Sequence, residues 1–144
     1  MRLPFQTSLS RLSHRLRELA RLHPEEAEEF LDSHQAQWEQ IAETDPGSAA
    51  DILEALDEED AADLLRDLDA DDAADVLDQM RAAAAADVIE EMDTEAAAQL
   101  IAEMEPDQAV DLLAALEEEQ VRRDVIAALD PDVRLAINKL IAYP

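Results

Sequence analysis

The sequence predicts an all-α protein, a superhelical solenoid of short helices, and three observations carry that prediction. From Asp45 onward a twelve-residue unit recurs six times in strict register. Apolar residues fall at positions five, eight, nine and twelve of the unit, which is a helical stripe and not the alternation of a strand. The chain holds one glycine, Gly47, and six prolines, too few turn formers for a set of hairpins.

Taken in order, residues 1–22 form a basic amphipathic arm. Arg2, Arg11, Arg15, Arg17 and Arg21 stand against one acid, Glu18, so residues 1–21 carry +4 and the rest of the chain -30. Leu12, Leu16, Leu19 and Leu22 share one helical face. That face either caps the core, with the arginines offsetting the acidic body, or touches anionic lipid. Pro24 to Thr44 reads as one longer helix whose Phe30, Leu31, Trp38 and Ile41 close the N-terminal end of the stack. His23 precedes Pro24 at a helix start, and His34 falls on the long helix.

Residues 23–144 form the acidic repeat domain. Its units begin at Asp45, Asp57, Asp69, Arg81, Asp93 and Glu105, followed by a looser one over 117–129 and a last one from Asp130. Aspartate at position one is the expected acceptor for the free amides of a new helix. Pro46, Pro106 and Pro131 follow it, where a helix needs no N–H. Position six is Ala in five units and Val in the sixth, so neighbouring helices can approach closely. Met80, Met92 and Met104 at position twelve are core residues.

The composition excludes several functions. A formal charge of -26 opposes nucleic acid as a partner, since phosphate binding needs a cationic footprint. With no cysteine there is no disulfide, thiolate zinc site or cysteine nucleophile. No Gly-rich phosphate loop or HExxH helix occurs, and His14, His23 and His34 all lie outside the repeats, so an enzyme is not expected. No stretch is long and apolar enough to span a membrane, and Met1 to Ser10 lacks the apolar centre of a signal peptide, so a cytoplasmic chain is expected.

The acids themselves form a pattern. A helical wheel puts positions three, seven, ten and eleven opposite the apolar stripe. Position seven is Asp51, Asp63, Asp75, Asp87 and Asp111, with Gln99 in the remaining unit. Glu59/Asp63, Asp71/Asp75 and Asp107/Asp111 are therefore like-charge pairs one turn apart, each costing about 0.2–0.5 kcal/mol. Such pairs suit a hydrated Mg²⁺, or Ca²⁺, which takes carboxylate oxygens. A solvated acidic face gives the same spacing.

The run DPGSAADILEALDEEDAADLL, the repeated (A/V)-D-L-L-type units and the ending LDPDVRLAINKLIAYP resemble the cytosolic N-terminal domain of MgtE-type magnesium transporters over residues 20–144. The repeats are also similar to parts of the flagellar motor switch protein. The transporter resemblance implies a superhelix of short helices and a regulatory Mg²⁺ sensor domain. It implies partners in adjacent CBS domains and a membrane domain, of the same chain or separate, and a homodimer formed through the full transporter. It places metal-binding acids on Asp107, Asp111 and Asp75, with Mg²⁺ bound weakly and shared with the partner domain. The location it implies is the cytosolic face of the cell membrane. The alternative is a free-standing protein-interaction repeat related to the motor switch domains.

The charge makes a prediction of its own. Screening relieves self-repulsion, and an ion that prefers the folded state stabilises it. Melting temperature is expected to rise with NaCl, and to rise further with MgCl₂ at matched ionic strength. Equal responses to the two salts would reduce the effect to general screening.

Overall fold

A computed structural model describes residues 4–142, so Arg2 of the arm and the closing Tyr143-Pro144 lie outside the described residues. Among the described residues every regular element is helical: α1 (Pro4–Leu22), α2 (Pro24–Ser33), α3 (Gln35–Thr44), α4 (Pro46–Ala55), α5 (Glu58–Arg66), α6 (Ala70–Gln79), α7 (Ala82–Glu90), α8 (Thr94–Glu103), α9 (Pro106–Ala115), α10 (Glu119–Ala128) and α11 (Pro131–Ala142). From Pro24 onward a helix begins every eleven to thirteen residues.

One element differs from the expectation. The single helix expected over Pro24–Thr44 is two helices, α2 and α3, broken at His34. His34 sits at φ -125° and ψ 58°, outside the helical region. Its ring Nδ1 lies 2.8 Å from the Phe30 carbonyl oxygen, and the ring stacks on Phe30 with centroids 4.0 Å apart. A backbone bond from the His34 N–H to the Leu31 carbonyl closes α2 at that point. The repeat spacing thus extends upstream of Asp45, without the Asp-Pro signature that marks it later.

The helices pack by alternation. α4, α6, α8 and α10 stack in one column, and α5, α7, α9 and α11 in the other, each against the element two places along. Helices of nine to twelve residues are too short to persist alone in water, because nucleation costs more than so few hydrogen bonds return. Stacking buries the stripe instead. Position five (Ala49, Ala61, Ala73, Ala85, Ala97, Ala109), position eight (Ile52, Leu64, Val76, Val88, Leu100, Leu112) and position nine (Leu53, Leu65, Leu77, Ile89, Ile101, Leu113) are buried in every regular unit. Position six is buried wherever it is alanine, and Val110 packs half-buried against the same core. At position twelve Met80 and Met104 are buried, and Met92 packs half-buried against the core.

α1 closes the N-terminal end, lying across α2 and α4. Leu16 and Ala20 enter the core, Leu12 and Leu19 pack at its margin, and Leu22 stays in solvent. The leucine face is therefore spent on the protein's own core, and Arg17 reaches Asp51 of α4 at 3.4 Å. Beneath this end Leu31, Trp38 and Ile41 are fully buried, with Phe30 half-buried beside them.

Trp38 is the largest buried side chain, and its indole Nε1 donates to the Leu64 carbonyl oxygen at 2.9 Å. The bond joins α3 to α5 across a segment with few aromatic residues to fill space. Trp38→Ala is expected to cost about 3–5 kcal/mol by the cavity it leaves. Trp38→Phe is expected to cost about 1–3 kcal/mol, since the Leu64 carbonyl loses its donor. Urea denaturation measures both; a Trp38→Ala protein as stable as wild type would remove Trp38 as the anchor of this end.

Candidate functional site

The predicted acids occupy the solvent side of the stack. Asp107 and Asp111 are exposed and one turn apart on α9, and Asp75 is exposed on α6, in the other column. Glu59, Asp63 and Asp71 are exposed as well. Among the described residues no three His, Cys, Asp or Glu side chains converge closely enough to hold a metal ion by themselves. What α9 presents is a pair of carboxylates with open space around it.

Helix starts are organised differently from the expectation. Of the position-one aspartates only Asp45 bonds a free amide, accepting from the Ser48 N–H at 3.2 Å and from the Ser48 hydroxyl at 2.6 Å. Asp57, Asp69 and Asp93 make no such bond. Their backbones sit near φ -60° and ψ 145–151°, whereas Asp45 sits at φ -144° and ψ 65°. They serve the helix through their charge beside its positive end and through their carbonyls, which accept the first intrahelical bonds.

Carboxylates from position ten of another unit take over part of that work. Glu54 accepts from the Arg81 N–H at 2.8 Å, Asp78 from the Glu105 N–H at 3.3 Å, and Glu90 from the Glu117 N–H at 3.1 Å. In each case acceptor and donor are 27 residues apart, so the acid near the end of one helix receives the amide at the start of the third helix onward. A carboxylate on a helix-start amide is both charge-assisted and favoured by the helix dipole. These bonds run from α4 to α7 to α10 and, separately, from α6 to α9. The equivalent positions in α5 and α8 are Arg66 and Ala102, which offer no acceptor.

Position ten was expected on the outward face; Arg66 and Ala114 are exposed there, but for the three acids at that position the expectation is corrected by their burial. The Glu54 side chain is only 18% exposed, where it also pairs with the Arg81 guanidinium at 3.3 Å. Asp78 and Glu90 are half-buried. The wheel treats each helix as alone against one neighbour, whereas a residue near a helix end also meets the start of another helix. The recurrence of acid at position ten in three units was the signal available in the sequence.

Two arginines complete the C-terminal end. Arg122 donates to the Leu113 and Leu116 carbonyls at 2.8 and 2.7 Å, and Arg134 to the Ala127 and Leu129 carbonyls at 3.0 and 2.9 Å. Each closes the end of the preceding helix, where carbonyls lack partners and the dipole is negative.

Electrostatics distinguish Asp78 from its neighbours. Partial burial, and then the Glu105 and Asp75 charges, push its carboxyl up to about 6, against the opposing pull of the Glu105 N–H. Burial together with nearby acids also raises Glu28, Asp60, Asp67 and Asp72. A carboxyl raised on folding binds more protons folded than unfolded, so stability falls as pH climbs from its ordinary value through the raised one. Melting temperature is therefore expected to increase as pH is lowered from 7.5 to 5. Asp78→Asn is expected to raise it at pH 7.5 and to flatten part of the slope. A wild-type protein whose stability falls steadily over that window contradicts this account.

The comparisons bear on this arrangement. The fold matches the crystal structure of the soluble part of a magnesium transporter with a TM-score of 0.68 at 21% identity, over 94% of this chain and 50% of that one. The chain thus spans half the length of that solved relative. No curated protein matches it in sequence. No helix among the described residues is long and apolar enough to cross a membrane. The profile of the MgtE intracellular N domain matches residues 44–144, which takes in every unit from Asp45 onward, with Asp75, Asp107 and Asp111. The chain belongs to the MgtE intracellular N domain family.

Proposed function

We infer that the chain is a Mg²⁺-responsive regulatory domain of a magnesium transporter, acting by ion-dependent docking on adjacent CBS domains. The observation that carries this reading is the exposed pair Asp107 and Asp111 on a strongly acidic repeat that belongs to the MgtE N domain family. Asp75, on α6, is the third acid assigned to the face.

The donor set fits the ion. Hydrated Mg²⁺ keeps several waters and needs only one or two protein carboxylates, so two acids one turn apart suffice as one half of a shared site. Asp107 and Asp111 would hold the ion, with Asp75 contributing charge from α6. The ion supplies positive charge between surfaces that otherwise repel. The chain itself contributes a rigid acidic face. Without cations that face resists approach to a second acidic surface, and the resistance falls as the charge is screened.

The partners in this reading are the CBS domains and the membrane domain of the transporter, with a homodimer formed through the whole assembly. The domain sits on the cytosolic face of the membrane. Its role is to sense the ion, and no chemical step is assigned to it.

Asp107→Asn together with Asp111→Asn in the gene-encoded full-length polypeptide tests the reading. Protease protection across a Mg²⁺ titration is expected to shift to higher concentration in the double variant. The isolated domain should become slightly more stable, by about 0.2–0.5 kcal/mol, because the repulsion along α9 is gone. The small stabilisation with an unchanged Mg²⁺ midpoint would make these acids plain solvated surface.

A further inference from the structure

We propose that the groove between α1 and α4 binds a phosphate group, with Arg11 and Arg15 as the side chains that hold it. The proposal stands apart from the Mg²⁺-responsive reading, since it concerns the basic end of the molecule and a ligand of opposite charge.

The groove encloses about 560 Å³, within the size range of small-molecule sites. Arg11, Arg15 and Arg17 line it from α1, and Asp45 and Ser48 from the start of α4. Three guanidinium groups thus face one carboxylate, in a chain whose net charge is -26. That carboxylate is turned to its own helix, accepting from the Ser48 N–H at 3.2 Å and the Ser48 hydroxyl at 2.6 Å.

The arginines of the groove are not used as the other bases are. Arg17, Arg66, Arg81 and Arg123 each pair with a carboxylate, and Arg122 and Arg134 close helix ends on carbonyls. Among the described residues Arg11 and Arg15 make no ion pair, like Arg21 further along α1, although acids outnumber bases 37 to 11. Neutralising the acidic body therefore falls to Arg17 alone among the arginines of α1, through Asp51 at 3.4 Å. Arg11 and Arg15 are exposed and one turn apart, where like charges repel. An anion seated between them removes that repulsion.

A second observation points to the same place. Ser13 and Ser48, 3% and 6% exposed, are the polar residues that the fold buries among the described ones, and both line this groove. Ser48 is committed to Asp45, while Ser13 supplies a hydroxyl from the helix that carries the arginines. Leu16 and Ala20 seat that helix in the core, so the groove is formed before a ligand arrives.

The donors select the ligand. A guanidinium fork matches phosphate oxygens two at a time. Two such forks and a hydroxyl offer more donors than one carboxylate can accept, and a phosphate dianion takes them. A long nucleic acid would have to cross the acidic repeats, whereas a small phosphate meets only the groove.

Calorimetric titration of the 144-residue chain with inorganic pyrophosphate, at fixed ionic strength and without divalent cations, tests the proposal. Saturable binding is expected. Arg11→Gln with Arg15→Gln is expected to weaken it by about tenfold or more, with the helical circular dichroism retained because both residues are exposed. Arg66→Gln with Arg123→Gln changes the net charge equally at a distance, and is expected to alter affinity by about twofold at most. Vesicles of phosphatidylcholine containing phosphatidic acid distinguish the source of the phosphate. Retention on them that pyrophosphate competes away assigns a lipid headgroup, and pyrophosphate binding without retention assigns a soluble ligand.

Absence of saturable pyrophosphate binding overturns the proposal. So does binding that survives Arg11→Gln with Arg15→Gln, or an equal loss in both double variants, which would reduce the groove to general charge.

Discussion

From α4 onward each helix owes its existence to the one two places along the chain. A nine- or ten-residue helix has too few internal hydrogen bonds to offset the ordering of its backbone. Burial of four apolar positions against the alternate neighbour supplies what is missing, at roughly 1.5–3 kcal/mol for each large aliphatic side chain taken from water. Everything else follows from that dependence. The alanines at positions five and six let the backbones approach. The ends of the stack need closures of their own: α1 with Trp38 at one end, and Arg122 and Arg134 at the other.

The acids divide into two populations with different physical roles. Those at positions three and seven are mainly solvated and set the long-range field of the surface. Those at position ten are withdrawn between helices and bond backbone amides of a third helix. The first population repels, and the second holds together the scaffold from which the first projects. In the proposed regulatory reading the repulsion has a use, because a surface that resists approach until cations screen it can report their concentration.

The repeat was legible because its stripe, its prolines and its period agree at every unit, and the buried positions are the ones the stripe names. The upstream pair of helices was not. Pro24 to Thr44 contains no glycine or internal proline to announce the break at His34, and that break depends on a ring stacked on Phe30. Asp107 and Asp111 could be found from spacing, since one turn along a single helix is a local relation. Asp78 could not be assigned its amide in that way, because its partner is 27 residues away and the contact exists only after three helices have packed. Arg122 and Arg134 stand where the earlier units carry alanine at position five. Nothing in composition says that the substitution ends a helix and not a repeat.

Every joint among the described residues is made at negative φ, and none requires glycine. Even at Gly47 an added Cβ would meet only the Asp45 carboxylate, at an ordinary 3.8 Å. The connections consequently impose almost no demand on residue type, and spacings of eleven, twelve and thirteen residues are all accommodated. Such a chain can drift a long way in sequence while its helices continue to stack. Shared architecture at 21% identity is what a scaffold with unrestricted joints permits. The freedom left over at its surface is where related domains can diverge in the charges they display.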